Sequence, residues 1–133
     1  MTSYLLDTNH VSAMLKKNAI FLQNMGLRNV SGRLIVSIPS VAELWFMVFN
    51  SAKQQANSDD LNKVLKGLDR CGFTEEAAKE FGRIKAELRR MGCPIPDADV
   101  QIAAIARLNS LTVLTADAHF NNVSNLKTEN WLL

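Results

Sequence analysis

The chain has 133 residues, close to the commonest size of one domain, and at this length a single core forms without disulfide bonds. Hydrophobic residues make up 47% of it and charged residues 21%, which excludes a disordered protein. The net charge of +2 excludes tight nucleic-acid binding through bulk charge, so any such contact requires a local patch.

Sequence features that place a protein in a membrane are missing. The first residues lack the basic region and cleavage site of a signal peptide, and the longest apolar run, residues 44–49, is too short to cross a bilayer. Cys71 and Cys93 match no zinc spacing and form no disulfide framework. We therefore expect a cytoplasmic protein without membrane contact.

The first third of the chain alternates apolar, strand-like runs with helical segments. Residues 4–6 predict a buried strand that ends at Asp7, and a helix is expected to start between residues 8 and 10 and to run to residue 17. A second helix is predicted over residues 19–30. The β-branched run LIVSI that follows predicts the second strand.

A strongly apolar helix is predicted next. We expect Pro39 to end the strand and Ser40 to cap a helix over residues 41–56, with Glu43 completing a capping box. Six consecutive apolar residues, 44–49, leave this helix without a polar face. Either part of it contacts another subunit or a partner chain, or it is a deeply buried central helix.

The rest of the chain continues the alternation. In chain order we predict a helix over 59–68 capped by Ser58, a strand over 71–73, a long helix from Thr74 to Gly92, a helix that begins at Pro96 and Asp97, a strand over 111–115 and an edge strand within 126–132. Strands separated by helices indicate a parallel α/β sheet covered by helices on both faces. Because no repeat or linker interrupts this pattern, we expect residues 1–133 to form a single domain.

Four acidic residues, distant in sequence, are predicted to meet at one edge of this sheet. Asp7 directly follows the first strand, and Asp117 comes just after the strand over 111–115. Glu43 and Asp99 lie in the first turns of their helices, and crossover helices begin at the edge where parallel strands end. The four carboxylates therefore fall on the edge where open parallel sheets bind ligands.

Such a group of carboxylates needs a counter-charge. Two carboxylates about 4 Å apart repel by roughly 4 kcal/mol at an effective dielectric of about 20. No Lys or Arg lies within two positions of any of the four acids, and oxygen ligands suit Mg²⁺ or Mn²⁺. Such ions activate water and clamp the oxygens of a phosphodiester during an in-line displacement, which predicts phosphodiester hydrolysis.

Each acid also has a structural interpretation that the sequence leaves open. Glu43 completes a capping box, Asp99 together with Asp97 favours a helix N-terminus, and Asp117 is able to open a turn. Asp7 is harder to explain in this way, because a charge at the end of an apolar strand is unusual. The position of all four at one edge favours the catalytic interpretation.

Three polar residues are candidates for positioning the acids. Thr8 and Asn9 either orient Asp7 or a metal-bound water, or cap the first helix. Thr115 either hydrogen-bonds an acid or a phosphate, or is present for its strand propensity. His119 is interpreted as a structural residue, because the turn that holds it is expected to pack against the sheet.

Four motifs occur in a characteristic order: YLLDTNHVSAML, SVAELWF, PIPDADVQIAAIA and VLTADAHFNNVSNLKTENW. By these motifs the chain resembles PIN-domain ribonucleases, and specifically the VapC-like toxins of bacterial toxin–antitoxin pairs. The opening DTN alone is a weak signal, whereas the ordered set with T-x-D-x-H-F and a final NW is specific. The bulky Trp45–Phe46 pair departs from the common pattern; it concerns dimer or partner contacts and removes no candidate ligand.

The resemblance implies a PIN-like three-layer α/β/α sandwich with a central parallel sheet of about five strands. It implies a Mg²⁺- or Mn²⁺-dependent endoribonuclease that hydrolyses RNA by metal-activated water. The implied partners are a second copy of the chain and a small cognate antitoxin. Asp7, Glu43, Asp99 and Asp117 match the catalytic, metal-binding acids of the family, while Asp97 matches a variable position.

Two other classes of function fit parts of the sequence. A small-molecule phosphohydrolase with an aspartyl nucleophile needs a second acid two residues after the first, where this chain has Asn9, and no glycine-rich phosphate loop is present. A non-catalytic RNA- or partner-binding PIN-like protein is the stronger alternative, with the apolar helix as its contact surface. The presence of all four acids favours the enzyme.

Overall fold

The structure is a computed structural model that describes residues 2–28 and 32–133. Within these residues the chain forms five β-strands, six α-helices and a short 3₁₀-helix over Ala118–Asn122. The strands are β1 (Tyr4–Leu6), β2 (Leu34–Ser37), β3 (Asp69–Cys71), β4 (Thr112–Leu114) and β5 (Thr128–Glu129). The helices are α1 (Thr8–Leu15), α2 (Ala19–Leu27), α3 (Ile38–Phe49), α4 (Gln54–Lys66), α5 (Glu75–Arg90) and α6 (Asp97–Leu108).

The strands form one sheet of order β3-β2-β1-β4-β5, and every neighbouring pair is parallel. All three residues of the central strand β1 are buried, as expected of a strand covered on both faces. The chain adds β2 and β3 on one side of β1 and then places β4 and β5 on the other. The strand order therefore reverses between β1 and β4, and such a switch point leaves a crevice at the carboxyl ends of the strands.

Helices cover both faces of the sheet. Alternate strand residues point to opposite faces, so each strand contributes side chains to two cores. Leu5 and Val113 pack with α5 and α6 in one core. Leu6 and Leu114 pack with α1–α4 in the other core, which also contains Trp131. The chain is a three-layer α/β/α sandwich with a parallel five-stranded sheet, so the predicted fold class is confirmed.

The start of α3 differs from the sequence prediction. The helix begins at Ile38, because Ser37 caps it by accepting a hydrogen bond from the Ser40 N–H at 3.3 Å. Pro39 lies in the first turn, where its missing N–H costs no helical hydrogen bond, and so it does not separate strand from helix. The prediction that Ser40 caps the helix is wrong, and Glu43 is not part of a capping box.

The end of α3 and the starts of α4 and β3 also differ from the sequence prediction. The predicted helix over residues 41–56 ends at Phe49, and a new helix begins at Gln54 rather than after Ser58. The Lys53 carbonyl accepts the Asn57 N–H at 3.0 Å, so α4 starts without any side-chain cap. The third strand also begins two residues earlier than predicted.

Other predicted boundaries are confirmed. Thr74 caps α5 by accepting the Ala77 N–H at 3.1 Å, and Gly92, with a φ of 70°, follows the end of that helix. The edge strand predicted in the tail is β5. α2 is described to Leu27, and the predicted end of this helix at Val30 lies outside the described residues. Among the described helices, none has both the length and the apolar character that a membrane crossing requires.

The apolar helix α3 is only partly covered. Leu44 and Val48 are buried in the core, whereas Phe46, Met47 and Phe49 are exposed, Phe46 by 67%. The interpretation of α3 as a deeply buried central helix is therefore wrong. An exposed apolar surface of this kind is typical of a contact with another chain.

Candidate active site

Asp7 lies at the switch point between β1 and β4. Its N–H donates to the Leu114 carbonyl at 3.1 Å, and its side chain caps α1. The carboxylate is nearly buried, with 9% of the side chain exposed. Its Oδ1 accepts the His10 N–H at 2.9 Å and lies 3.1 Å from His10 Nδ1. The fold thus holds a desolvated carboxylate at the edge where β1 and β4 end.

Asp99 and Asp117 approach this edge from two different elements. Asp99 lies in the first turn of α6, and Asp117 directly precedes the 3₁₀-helix. His119 lies between them, with Nδ1 at 3.2 Å from Asp99 Oδ2 and 3.1 Å from Asp117 Oδ1. Ligand atoms of the three residues all lie within 4.8 Å of one another, which is compact enough to hold one metal ion.

The pKa of the Asp99 carboxyl is raised above its ordinary value of 3.8. Burial is the largest cause, because it removes water from the charged form. The hydrogen bond from His119 acts in the opposite direction, and the negative charges of Asp117 and Asp7 raise the pKa further. Asp7 and Asp117 therefore both lie within electrostatic range of Asp99.

Glu43 lies beside this cluster rather than within it. It is exposed on α3, and its Oε2 accepts a hydrogen bond from Thr8 Oγ1 at 3.1 Å. Because Thr8 directly follows Asp7, this bond ties Glu43 to the same edge of the sheet. The structure brings Asp99 and Asp117 together with His119, and the charge of Asp7 lies close enough to act on Asp99. The sequence, in contrast, predicts that all four acids meet as equal members of one cluster.

Among the described residues, none of the four acids forms an ion pair with a Lys or Arg. Asp7 contacts His10, while Asp99 and Asp117 share His119. Asp97 provides the contrast within α6, since it is exposed and pairs with Lys85 Nζ at 3.0 Å. An acid that has its own cation is a poor metal ligand, which supports its exclusion from the candidate set.

The three positioning candidates differ in what they contact. Thr8 Oγ1 donates a hydrogen bond to Glu43 Oε2. Thr115 Oγ1 accepts the Asp117 N–H at 2.9 Å and so shapes the turn that carries this acid. Asn9 is exposed, and its side chain makes no hydrogen bond to the described residues. The alternative in which Thr8 or Asn9 caps the first helix is wrong, because Asp7 caps it.

Both histidines contact acids, which the sequence interpretation missed. His119 is half exposed and lies between Asp99 and Asp117, contacts that the structural interpretation of this residue did not include. His10 is buried beside Asp7. Each histidine follows an acid at a short spacing, two residues in a 3₁₀ turn and three residues at a helix start. A search for acid–histidine pairs at turn and helix starts would have found both.

The residues of this edge fit a divalent metal ion. Carboxylate oxygens suit Mg²⁺ and Mn²⁺. The pKa of Asp99 is raised because partial burial and the nearby charges of Asp117 and Asp7 outweigh the hydrogen bond from His119. A cation would relieve both the desolvation and the mutual repulsion of the acids.

Known proteins resemble the chain over nearly its whole length. The PIN domain family matches residues 4–126. Ribonuclease VapC2 of Haemophilus influenzae is 33% identical and covers 99% of this chain and 100% of its own length. The tRNA(fMet)-specific endonuclease VapC of Shigella flexneri is 29% identical and covers 98% of this chain and 99% of its own. 

A solved structure agrees with these relatives. In the crystal structure of VapBC2 from Rickettsia felis bound to a DNA fragment from their promoter, one chain matches with a TM-score of 0.91 and 27% identity, over 98% of this chain and 99% of that chain. The family resemblance inferred from the four sequence motifs is thus confirmed. The protein belongs to the PIN-domain family, among the RNA-hydrolysing VapC ribonucleases.

Proposed function

We propose that this protein is a metal-dependent endoribonuclease that acts as the toxin of a toxin–antitoxin pair. The observation that carries the proposal is the convergence of Asp7, Asp99 and Asp117 at the switch point, without a Lys or Arg partner among the described residues. RNA is itself a polyanion, so a cluster of carboxylates can act on it only with a cation between them. The ribonuclease and endonuclease relatives support RNA as the substrate.

The proposed ion is Mg²⁺, with Mn²⁺ as a substitute. The proposed ligands are the four family acids, Asp7, Glu43, Asp99 and Asp117. When bound, such an ion polarises a phosphoryl oxygen and lowers the pKa of water. Two threonines of the chain position these carboxylates. Thr8 orients Glu43, and Thr115 orients the turn that carries Asp117. These hydrogen bonds hold the carboxylates in place before RNA arrives, which reduces the reorganisation that catalysis requires.

A first choice of RNA follows from the relatives. The VapC proteins of Shigella flexneri and Salmonella typhimurium, 29% and 26% identical to this chain, are tRNA(fMet)-specific endonucleases. We therefore propose tRNA(fMet) as the first RNA to test, with another tRNA as the comparison. Cleavage of both tRNAs at equal rates would leave the nuclease assignment intact and contradict this choice of substrate.

The decisive experiment compares RNA cleavage by wild type, Asp7→Asn and Asp97→Asn proteins in Mg²⁺, in Mn²⁺ and in EDTA. We expect wild type to cut only with an added ion and Asp7→Asn to lose cleavage while its melting temperature stays near that of wild type. Asp97→Asn is the matched control, because Asp97 is exposed and paired with Lys85, and it should cut as wild type does. Cleavage by Asp7→Asn in EDTA would contradict the proposal.

We also propose that the protein forms a homodimer and binds a small antitoxin. The Rickettsia felis and Salmonella typhimurium structures are VapBC complexes on DNA. Phe46, Met47 and Phe49 of α3 give this chain an exposed apolar surface that another chain could cover. Light scattering of the protein, alone and co-expressed with the product of a neighbouring short reading frame, tests both partners. A monomer that co-expression does not change would contradict the assembly and leave the nuclease assignment intact. 

A single domain over residues 1–133 and a cytoplasmic location remain predictions.

A further inference from the structure

His10 is fully buried between Asp7 and the C-terminal tail. Its Nδ1 lies 3.1 Å from Asp7 Oδ1, and its Nε2 lies 3.1 Å from the backbone nitrogen of Trp131. Phe21 packs edge-on against the ring, with 5.9 Å between the ring centroids. Burial of a polar ring among apolar groups costs free energy unless its nitrogens are hydrogen-bonded, and both nitrogens of His10 are.

The two contacts determine which nitrogen of His10 carries the proton. The backbone nitrogen of Trp131 can only donate, so Nε2 of the imidazole must accept and is unprotonated. The ring proton is therefore on Nδ1, where it is donated to Asp7 Oδ1. The contact with the tail thus sets the tautomer that the contact with the acid requires.

We infer that His10 is a positioning residue for Asp7, and that the C-terminal tail contributes by setting the tautomer in which the imidazole donates to Asp7. Asp7 Oδ1 accepts both the backbone N–H and the Nδ1–H of His10, so two donors hold the carboxylate on one side. The hydrogen bonds that the described residues make to the Asp7 carboxylate all go to Oδ1, which leaves Oδ2 for another ligand. This inference rests on the proposed function, in which Asp7 binds the ion.

The tail that sets the tautomer is itself anchored to the helices and to β1. The Trp131 ring is fully buried, with its centroid 4.9 Å from that of Tyr4. Asn24 of α2 donates its Nδ2 to the carbonyls of Trp131 at 3.0 Å and of Leu133 at 3.1 Å. The hydrogen-bond chain therefore runs from the end of the polypeptide through His10 to the first acid of the sequence.

Two substitutions separate the two contacts of the ring. His10→Asn places an amide near the position of Nδ1, so it keeps a donor to Asp7 and loses the acceptor for the Trp131 N–H. His10→Gln places an amide near the position of Nε2, so it keeps the tail contact and loses the donor to Asp7. Asn24→Ala loosens the tail without removing either contact of His10, and it is the control for stability alone.

Each protein is titrated with Mn²⁺ alone, with the free ion followed by electron paramagnetic resonance, and its melting temperature is measured. We expect His10→Gln to weaken Mn²⁺ binding about 10- to 100-fold, as loss of a group that orients a metal ligand does. His10→Asn should keep Mn²⁺ affinity close to that of wild type even where its melting temperature falls, and Asn24→Ala should lower only the melting temperature. An unchanged affinity in His10→Gln, or an equal loss in both His10 variants, would overturn the inference.

Asp7→Asn distinguishes failure of this inference from failure of the proposed function. If Asp7→Asn binds Mn²⁺ as wild type does, the proposed metal site is wrong. If Asp7→Asn loses the ion while His10→Gln keeps it, only the positioning role of His10 is wrong. 

A measurement on the wild-type protein does not depend on the folding of any variant. The ¹⁵N spectrum of the His10 imidazole should show a protonated Nδ1 and an unprotonated Nε2, and a protonated Nε2 would overturn the inference.

Discussion

Carboxylates gather at two places in this protein, the switch point of the sheet and the interface between α5 and α6. At the interface Arg107 Nε binds Glu80 Oε2 at 2.9 Å, and Arg107 Nη1 binds Glu87 Oε2 at 3.2 Å. The same guanidinium donates to the Ser124 carbonyl at 3.2 Å and to its hydroxyl at 3.3 Å. Arg107 therefore joins two helices and a loop, and it supplies the positive charge that the two glutamates need.

The pKa of Glu80 at the helix interface is lowered, whereas the pKa of Asp99 at the switch point is raised. The hydrogen bond from Arg107 is the largest cause of the lowered pKa of Glu80, and burial acts against it. Burial is the largest cause of the raised pKa of Asp99, and only His119 acts against it, while Asp117 adds to it. The two groups of acids differ because Arg107 lies beside Glu80 and Glu87. Glu80 and Glu87 are neutralised by Arg107 within the fold, whereas the described residues give Asp99 and Asp117 no Lys or Arg partner, which supports the proposed metal site.

Removal of a charge from the switch point gives the largest expected effect. Asp99→Asn should reduce RNA cleavage to background, because it removes a proposed ligand. In EDTA the same variant should melt at a higher temperature than wild type, since a buried neutral amide escapes the desolvation and repulsion that act on Asp99. Cleavage assays and thermal melts test both effects, with Asp97→Asn as the matched control from the same helix. A lower melting temperature would show that Asp99 is structural, as Glu80 is.

Metal addition should stabilise the protein through the switch point alone. At a free Mn²⁺ concentration of 100 times the dissociation constant, binding to the folded state stabilises it by about 2.7 kcal/mol. We expect this gain in urea unfolding of wild type and of variants at Arg107, and not in Asp99→Asn. An equal gain in Asp99→Asn would place the ion elsewhere and remove the contrast between the two clusters.

Local patterns in the sequence predict that Asp7 and Asp117 lie at the carboxyl edge of the sheet. Asp7 and Asp117 follow short apolar runs, so their place at the carboxyl edge follows from strand ends alone. Periodicity does not report which strands are neighbours, and the reversal of order between β1 and β4 that brings these two acids together is visible only in the structure.

The errors have physical reasons as well. Ser37 and Ser40 are both able to cap α3, and the choice of Ser37 moves Glu43 out of the first turn. The contact of His119 with Asp99 joins two elements of the tertiary fold, so the sequence around His119 indicates only its proximity to Asp117.

Loss of the cation from the helix interface should affect stability and leave the chemistry intact. Arg107→Met leaves two glutamates without their partner, and we expect it to lower the free energy of unfolding by about 2 kcal/mol, less than a fully buried pair because Glu87 is partly exposed. Arg83→Met is the matched control; Arg83 also binds Glu80, at 3.1 Å, but is 64% exposed, so its loss should cost at most about 0.5 kcal/mol. Cleavage per folded molecule should match wild type in both. A loss of cleavage in folded Arg107→Met would link the two clusters.

The smallest expected effect is the pH dependence of stability that Glu80 contributes beside Arg107. The pKa of Glu80 in the folded state lies below its ordinary value of 4.5, so its ionised form stabilises the fold at neutral pH. This contribution is complete above the unfolded-state pKa and is lost as the pH falls through the lower pKa of the folded state. Glu80→Gln should therefore cost about 1 kcal/mol at neutral pH in urea unfolding, less than loss of Arg107 because Glu87 and Ser124 still hold the guanidinium.

The cost of Glu80→Gln should shrink toward zero in acid, and a cost that grows in acid would contradict the lowered pKa. Asp99→Asn in EDTA should stabilise at neutral pH where Glu80→Gln destabilises, because burial penalises the charge of Asp99 without an arginine to offset it. Both substitutions replace one carboxylate by an amide, so the opposite signs isolate the effect of Arg107 from the effect of burial.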